Sequence, residues 1–130
     1  MKKILNPKYE LLDYLIIIPA RFQSTRFPGK PLADIFGKSM IHRVWEKCVE
    51  ASSKDKVIVA TDDQRIIEHC KNNNINALLT SNTCLTGTDR LYEVAKKQKV
   101  QTYFNVQGDE PLISPEDIKA VIHAAQKEPG

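Results

Sequence analysis

The feature that most constrains this chain of 130 residues is an alternation: apolar runs of strand length are separated by stretches whose apolar residues recur with helical period. Leu15-Ile16-Ile17-Ile18-Pro19-Ala20 is a continuous run rich in β-branched side chains, the pattern of a strand covered on both faces. After a Gly/Pro-rich loop, Met40, Ile41, Val44, Trp45, Cys48 and Val49 recur at a spacing near 3.6, with Ser39 placed to cap the helix. Val57-Ile58-Val59-Ala60-Thr61 reads as a second buried strand, and Asp63 as the cap of a helix presenting Ile66, Ile67 and Cys70. Ala77-Leu78-Leu79-Thr80 is a short third strand, followed by a loop ending near Gly87 and a helix with Leu91, Val94 and Ala95 on one face. Tyr103-Phe104-Asn105-Val106-Gln107 is the fourth strand. Ser114-Pro115-Glu116-Asp117 then combines a cap, a proline at the first helical position and first-turn acids, ahead of a stripe of Ile118, Val121, Ile122 and Ala125. Strands joined through helices need right-handed crossovers, so the expected fold is α/β: a mostly parallel, doubly wound sheet with helices on both faces.

The length suits one domain, and a content of 42% apolar and 27% charged residues is that of a globular chain rather than a disordered one. The longest apolar run, Leu15–Ala20, falls far short of the roughly 20 residues needed to cross a bilayer. Asn6, Lys8, Glu10 and Asp13 interrupt any signal-peptide core, so the expectation is a cytoplasmic protein without membrane insertion. Cys48, Cys70 and Cys84 are an odd number with no C-x-x-C pair, which disfavours a disulfide framework or zinc site and suits a reducing compartment. The net charge is +3, and residues 1–38 alone carry seven basic groups against Glu10, Asp13 and Asp34. So local an excess fits a small polyanion better than a nucleic acid, RNA included.

Parallel sheets bind ligands beyond the carboxyl ends of their strands. The loop after the first strand places Arg21, Arg26 and Lys30 within ten residues, beside the hydroxyls of Ser24 and Thr25. Guanidinium forks bind phosphate oxygens in pairs and an ammonium adds a mobile charge, a combination able to neutralise a triphosphate. No Walker A motif accounts for it: Leu32 stands where a glycine would precede Gly37-Lys38-Ser39, which reads instead as a turn into the helix. A G-x-G-x-x-G fingerprint is also absent. After the fourth strand, Gly108 permits a close approach and Asp109 offers one carboxylate of the kind Mg²⁺ takes alongside waters and phosphate oxygens. Thr86 or Thr88 can cap the helix leading to Arg90, and Asp63 is sufficiently explained as a cap. His42, His69 and His123 fall on polar helix sides, Trp45 falls in its helix's apolar stripe, and the cysteines lack a base partner.

In combination, Ile17-Ile18-Pro19-Ala20-Arg21, Ser24-Thr25-Arg26-Phe27-Pro28-Gly29-Lys30-Pro31-Leu32, Ala60-Thr61-Asp62, Thr86-Gly87-Thr88-Asp89-Arg90 and Asn105-Val106-Gln107-Gly108-Asp109-Glu110-Pro111-Leu112-Ile113 occur in one order. This series resembles the 3-deoxy-manno-octulosonate (Kdo) cytidylyltransferases, or CMP-Kdo synthetases, from about Leu15 onward. The resemblance implies a nucleotide-diphospho-sugar-transferase fold and the reaction of CTP with Kdo to give CMP-Kdo and pyrophosphate, a step toward lipopolysaccharide. It also implies Mg²⁺ as cofactor and a homodimer in the full-length form. By the same resemblance Arg21, Arg26 and Lys30 belong to the triphosphate loop with Ala20 and Ser24, and Asp109 to the metal site. Gln107 and Thr61 then lie beside nucleotide and sugar, with Thr88 and Arg90 in the segment near base and sugar acid.

The sequence departs from that family's pattern in three places. Ser39 stands where proline is usual, and Cys84-Leu85-Thr86 where His-x-Ser is usual. The chain also ends at Gly130, about halfway along the family's length. Residues 1–14 are therefore expected to be an extension and residues 15–130 the nucleotide-binding part of a cytidylyltransferase domain. Such a part would bind nucleotide at best and be inactive alone. A CMP-sialic acid synthetase or another sugar nucleotidyltransferase of the same fold, and a non-catalytic nucleotide-binding module, are the alternatives.

Overall fold

The computed structural model describes residues 14–22, 29–81, 87–97, 100, 102–108 and 114–127. In chain order its elements begin with strand β1 (Tyr14–Ala20), a 3₁₀ turn (Lys30–Leu32) and the short strands β2 (Asp34–Ile35) and β3 (Lys38–Ser39). Helix α1 (Met40–Ala51), a second 3₁₀ turn (Lys54–Lys56), β4 (Val57–Thr61) and α2 (Gln64–Asn72) follow. The order closes with β5 (Ala77–Leu79), α3 (Gly87–Lys97), β6 (Thr102–Asn105) and α4 (Pro115–Lys127). The main sheet runs β5-β4-β1-β6, with every described pairing parallel: Ile16 opposite Val57, Val59 opposite Ala77 and Tyr14 opposite Thr102.

This order explains the layers. From β1 to β4 to β5 the chain steps in one direction, and right-handed crossovers keep α1 and α2 on one face. From β5 it returns across two strands to β6, so the same handedness puts α3 on the other face. β1 divides its side chains accordingly. Ile16, Ile18 and Ala20 join Ile41, Val44 and Cys48 of α1, Ile66 and Cys70 of α2, and Ile118 and Ile122 of α4. Leu15 and Ile17 join Ile58, Ala60 and Val94 of α3 on the opposite face. Ile16, Ile17 and Ile18 are all fully excluded from water, each worth about 1.5–3 kcal/mol of burial, which is why the run shows no polar alternation.

Local signals act as their chemistry dictates. The Ser39 hydroxyl accepts the His42 amide at 3.2 Å, Asp63 accepts the Arg65 amide at 2.8 Å, and Ser114 accepts those of Glu116 and Asp117 at 3.2 and 3.4 Å. At the end of α2, Asn74 adopts a left-handed φ of 57° while the Ile75 and Asn74 amides return to the Cys70 and Lys71 carbonyls at 2.8 and 3.3 Å. That is a Schellman stop, with buried Ile75 as its apolar plug.

Some sequence expectations shift. Gly37-Lys38-Ser39 is not a bare turn into α1 but the tip and second arm of a hairpin, with Ile35 paired to Lys38 and positive φ at both Phe36 (51°) and Gly37 (92°). Phe36 in place of the usual Asn concealed that turn. β1 begins one residue early, because Tyr14 packs edge-on against Phe104. β5 stops at Leu79 and β6 runs over Thr102–Asn105 rather than to Gln107. Val121 is half exposed, so α4 buries a narrower stripe centred on Ile118 and Ile122. Thr88 lies inside α3 and does not cap it; Thr86 is outside the described residues. Among the described residues no helix is long and apolar enough to cross a membrane.

Candidate functional site

In an open α/β sheet the ligand crevice forms where the strand order reverses, and here that point lies between β1 and β6. Ile17 is the last β1 residue paired with β6, opposite Asn105, and its carbonyl accepts the Val106 amide at 3.0 Å. Two residues on, Pro19 turns its backbone to the same side, where its missing amide costs no ladder bond because β6 has ended. Gly108 closes over this gap. A Cβ there would lie 2.9 Å from the Pro19 carbonyl oxygen and 3.1 Å from Ile41 Cδ1, so only glycine fits. The close approach expected at Gly108 is thus to the chain's own first strand. Asp109, the proposed metal ligand, lies outside the described residues.

The loop leaving β1 is closed at its stem. The Gly29 amide donates to the Phe22 carbonyl at 2.6 Å, and Gly29 takes a left-handed φ of 76° to do so. Exposed Arg21 and half-buried Lys30 therefore flank the two ends of one closed loop. Ser24 and Arg26 lie outside the described residues. Beneath the stem, the Arg65 guanidinium stands 3.2 Å from the centroid of the Phe22 ring.

Next along the rim, Ala20 pairs with Thr61, whose carbonyl accepts the Thr80 amide at 2.7 Å. Ala20 and Thr61 are both buried, and the Thr61 hydroxyl accepts the Asp63 amide at 3.2 Å, so Thr61 presents structure rather than a free hydroxyl here. Asp63 accepts both edges of the Arg65 fork at 3.0 and 2.7 Å, and this hydrogen bonding holds its carboxyl below the ordinary range. Arg90, in the first turns of α3, is wholly withdrawn from solvent. Its Nη1 donates to the Thr80 hydroxyl at 2.5 Å, and Nη2 stands 3.7 Å from the Asp62 carboxylate. Among the described residues, Nε and Nη2 have no hydrogen-bond partner. Burying a guanidinium that is only partly hydrogen-bonded is costly, which marks Arg90 as a candidate to meet a polar ligand. Gln107 is exposed just beyond β6, and the Thr88 side chain is not among those described.

Elsewhere the chemistry is structural. Among the described residues no three His, Cys, Asp or Glu side chains cluster as a metal cage would require. Cys48 and Cys70 are buried free thiols whose pKa burial pushes up to about 12, in keeping with inert cysteines. His69 differs from its surface expectation: it is half-buried, with Nε2 at 2.6 Å from Ser39 Oγ. The pair resembles a catalytic dyad only in outline, because Ser39 is nearly enclosed and already caps α1, and Asn73 rather than a carboxylate faces Nδ1. His123 is exposed, and Trp45 packs at the core margin with His42 edge-on against it. Sequence reasoning passed over Phe22, Arg65, Asp62 and Thr80. An aromatic directly after the first cation of a basic loop and an acid directly after a buried strand were the available signals.

Comparisons with known proteins agree with this geometry. The family model described as cytidylyltransferase matches residues 15–130. A 3-deoxy-manno-octulosonate cytidylyltransferase of Zea mays is 50% identical over 87% of this chain and 39% of its own length. One from Chlamydia pneumoniae is 45% identical, over 87% of this chain and 45% of the relative. A solved structure of CMP:2-keto-3-deoxy-manno-octonic acid synthetase complexed with CTP superposes with a TM-score of 0.87 at 42% identity, over 90% of this chain and 48% of that one. A cytidylyltransferase of Leptospira borgpetersenii, 23% identical with a TM-score of 0.75, shares the fold. The chain spans about half the length of the curated relatives it matches. With the model match reaching from the first strand to the final helix, this chain belongs to the cytidylyltransferase family.

Proposed function

We propose that this chain carries the nucleotide-binding part of an enzyme that transfers CMP from CTP to Kdo. The observation that carries the reading is the β1–β6 switch point, where the cationic loop of Arg21 and Lys30 and the Gln107-Gly108 segment leading to Asp109 leave neighbouring strand ends. The family's named activity and the CTP complex of the similar synthetase support the choice of substrates.

In this reading Arg21, Arg26 and Lys30 grip the triphosphate, and Arg90 offers its unpaired N–H groups to the base or sugar acid. Thr88 and Gln107 line the approach, buried Thr61 supports the rim beneath them, and Ser24 and the Ala20 backbone complete the loop. The Kdo anomeric hydroxyl attacks the α-phosphorus in line. A new P–O bond forms, the α–β bridging bond breaks, pyrophosphate leaves with the electron pair, and the hydroxyl proton passes to solvent. Positioning and charge neutralisation supply the acceleration, with no covalent enzyme intermediate. Asp109 would hold Mg²⁺, which would neutralise the departing pyrophosphate. The buried free thiols support a reducing, cytoplasmic setting. A homodimeric full-length form and a product destined for lipopolysaccharide belong to the same reading.

Titration calorimetry of CTP with Mg²⁺ tests it. The wild-type chain binds, and Arg26→Ala weakens binding about tenfold, as expected for loss of a charge-assisted phosphate contact. Unchanged affinity would remove the triphosphate assignment. A product assay on the full-length form with Kdo or sialic acid as acceptor separates this enzyme from its sialic acid counterpart.

A further inference from the structure

The loop stem contains an aromatic side chain that phosphate binding does not itself require. Phe22 directly follows Arg21, and its carbonyl holds the Gly29 amide next to Lys30. Its ring meets two groups. A Cβ at Gly29 would come within 3.1 Å of ring atom Cε2, and the Arg65 guanidinium lies over the ring at 3.2 Å from the centroid. Arg65 is fixed in turn: Nε and Nη2 donate to the two oxygens of Asp63, which is itself anchored as the cap of α2. Its charge is therefore matched by Asp63, and the face of its plane is occupied by Phe22. A guanidinium so engaged is a poor phosphate ligand and a good platform.

We propose that Phe22 and Arg65 are positioning residues that set the spacing of Arg21 and Lys30 for phosphate, by stacking the loop stem onto the capped end of α2. The proposal rests on the phosphate-binding reading of that loop. It accounts for three otherwise separate features: an aromatic residue in a basic loop, glycine at position 29, and an arginine two residues after its acid partner.

A double-mutant cycle on the whole chain, read by calorimetric titration of CTP and in parallel of inorganic tripolyphosphate, provides the test. Circular dichroism at the titration temperature establishes that each variant is folded. Phe22→Leu and Arg65→Ala each weaken tripolyphosphate binding about two- to fivefold, the range for a partly exposed cation–π contact. The double variant is no weaker than the worse single one, because both act through one contact. Phe22→Tyr keeps the ring face and restores affinity. Arg65→Lys keeps the charge without the planar face and behaves as Arg65→Ala, which covers the case in which the alanine variant fails to fold. Wild-type affinity in Arg65→Ala or Arg65→Lys, or losses that multiply in the double variant, would overturn the proposal. Tripolyphosphate binding that depends on Phe22 and Arg65 without any preference for CTP upholds it while refuting the cytidylyl reading. Failure of the wild-type chain to bind either ligand refutes both.

Discussion

Replacing Gly108 with alanine tests the strand junction on which the site depends. The new methyl would sit 2.9 Å from a backbone oxygen of Pro19, 3.1 Å from Ile41 Cδ1 and 3.5 Å from Ile18 Cγ2. Ile41 can swing its terminal methyl aside, but the Pro19 carbonyl belongs to the central strand and cannot yield cheaply. The 106–108 segment must withdraw, straining the Val106 amide bond to Ile17. Overpacking of this kind costs about 1–3 kcal/mol. Alanine recovers about 0.4–1 kcal/mol by restricting the unfolded chain, leaving a net loss of about 1–2 kcal/mol. For a domain of this size that is a fall in Tm of roughly 3–10 °C. Thermal melts and urea titrations would record it, with the urea slope unchanged because the same surface is exposed on unfolding. CTP affinity should fall as well, since Asp109 follows immediately. Adding Ile41→Val should not rescue the variant, because the carbonyl contact survives. A Tm within about 1 °C of wild type, or full rescue by Ile41→Val, would refute the assignment of the clash.

Three further outcomes follow from the same structure. Arg90→Met removes the desolvation cost of a buried guanidinium together with its Thr80 hydrogen bond and Asp62 ion pair, so the opposing effects should leave stability within about 1 kcal/mol of wild type in chemical denaturation while CTP binding is lost; a loss of several kcal/mol with CTP binding retained would mean that the guanidinium serves the fold. Phe36→Asn places a residue tolerant of positive φ at the hairpin tip, where Phe36 is 96% exposed, and should raise Tm by a few degrees through relief of about 0.5–1 kcal/mol; an unchanged Tm would argue against strain there. Burial and the neighbouring His42 hold His69 below its ordinary value of 6.5, so below pH 6.5 the unfolded chain binds a proton that the fold resists. Stability should accordingly decline from pH 7.5 to 5.5, and His69→Gln should flatten that slope in urea titrations; a slope equal to wild type would exclude His69 as its source.

Elements with consistent local signals were legible in the sequence. The unbroken β-branched run of β1 could only be a strand covered on both faces, and Ser39, Asp63 and Ser114 each marked a helix start that their amide bonds bear out. Sheet order was not legible: nothing local tells β6 to pair with β1 rather than extend beyond β5, since that choice is made by crossover handedness and the packing of α3 on the second face. Val121 was misread because helical period marks a stripe and not its width, which the facing helix α1 sets. His69 was misread for a related reason, since its partner Ser39 is 30 residues away and meets it only through tertiary packing. At the site, residue types announced phosphate chemistry, whereas the supporting contacts of Phe22, Arg65, Asp62 and Thr80 arise only between elements.

Local rules fail mainly in one place, and that bears on the site independently of any family likeness. A proline within a central strand, a glycine forced by a 2.9 Å approach and a buried guanidinium with unpaired donors all fall at the carboxyl rim of the sheet. The glycine and the guanidinium are unfavourable for folding alone, the proline is tolerated there only because β6 has ended, and the opposite rim carries nothing comparable among the described residues. Replacing Arg90 with an apolar residue would remove the desolvation cost of the guanidinium, with Asp62 partly open to water, but would leave the buried Thr80 hydroxyl without that donor. The concentration of such costs where β1 and β6 diverge is the physical signature of a surface shaped for a ligand. Phe36 is the exception that sharpens the argument: it too is strained and exposed, yet it stands alone at a hairpin tip clamped by Arg43, with no second anomaly beside it. Convergence of several independent costs, rather than any single one, distinguishes the rim from the hairpin.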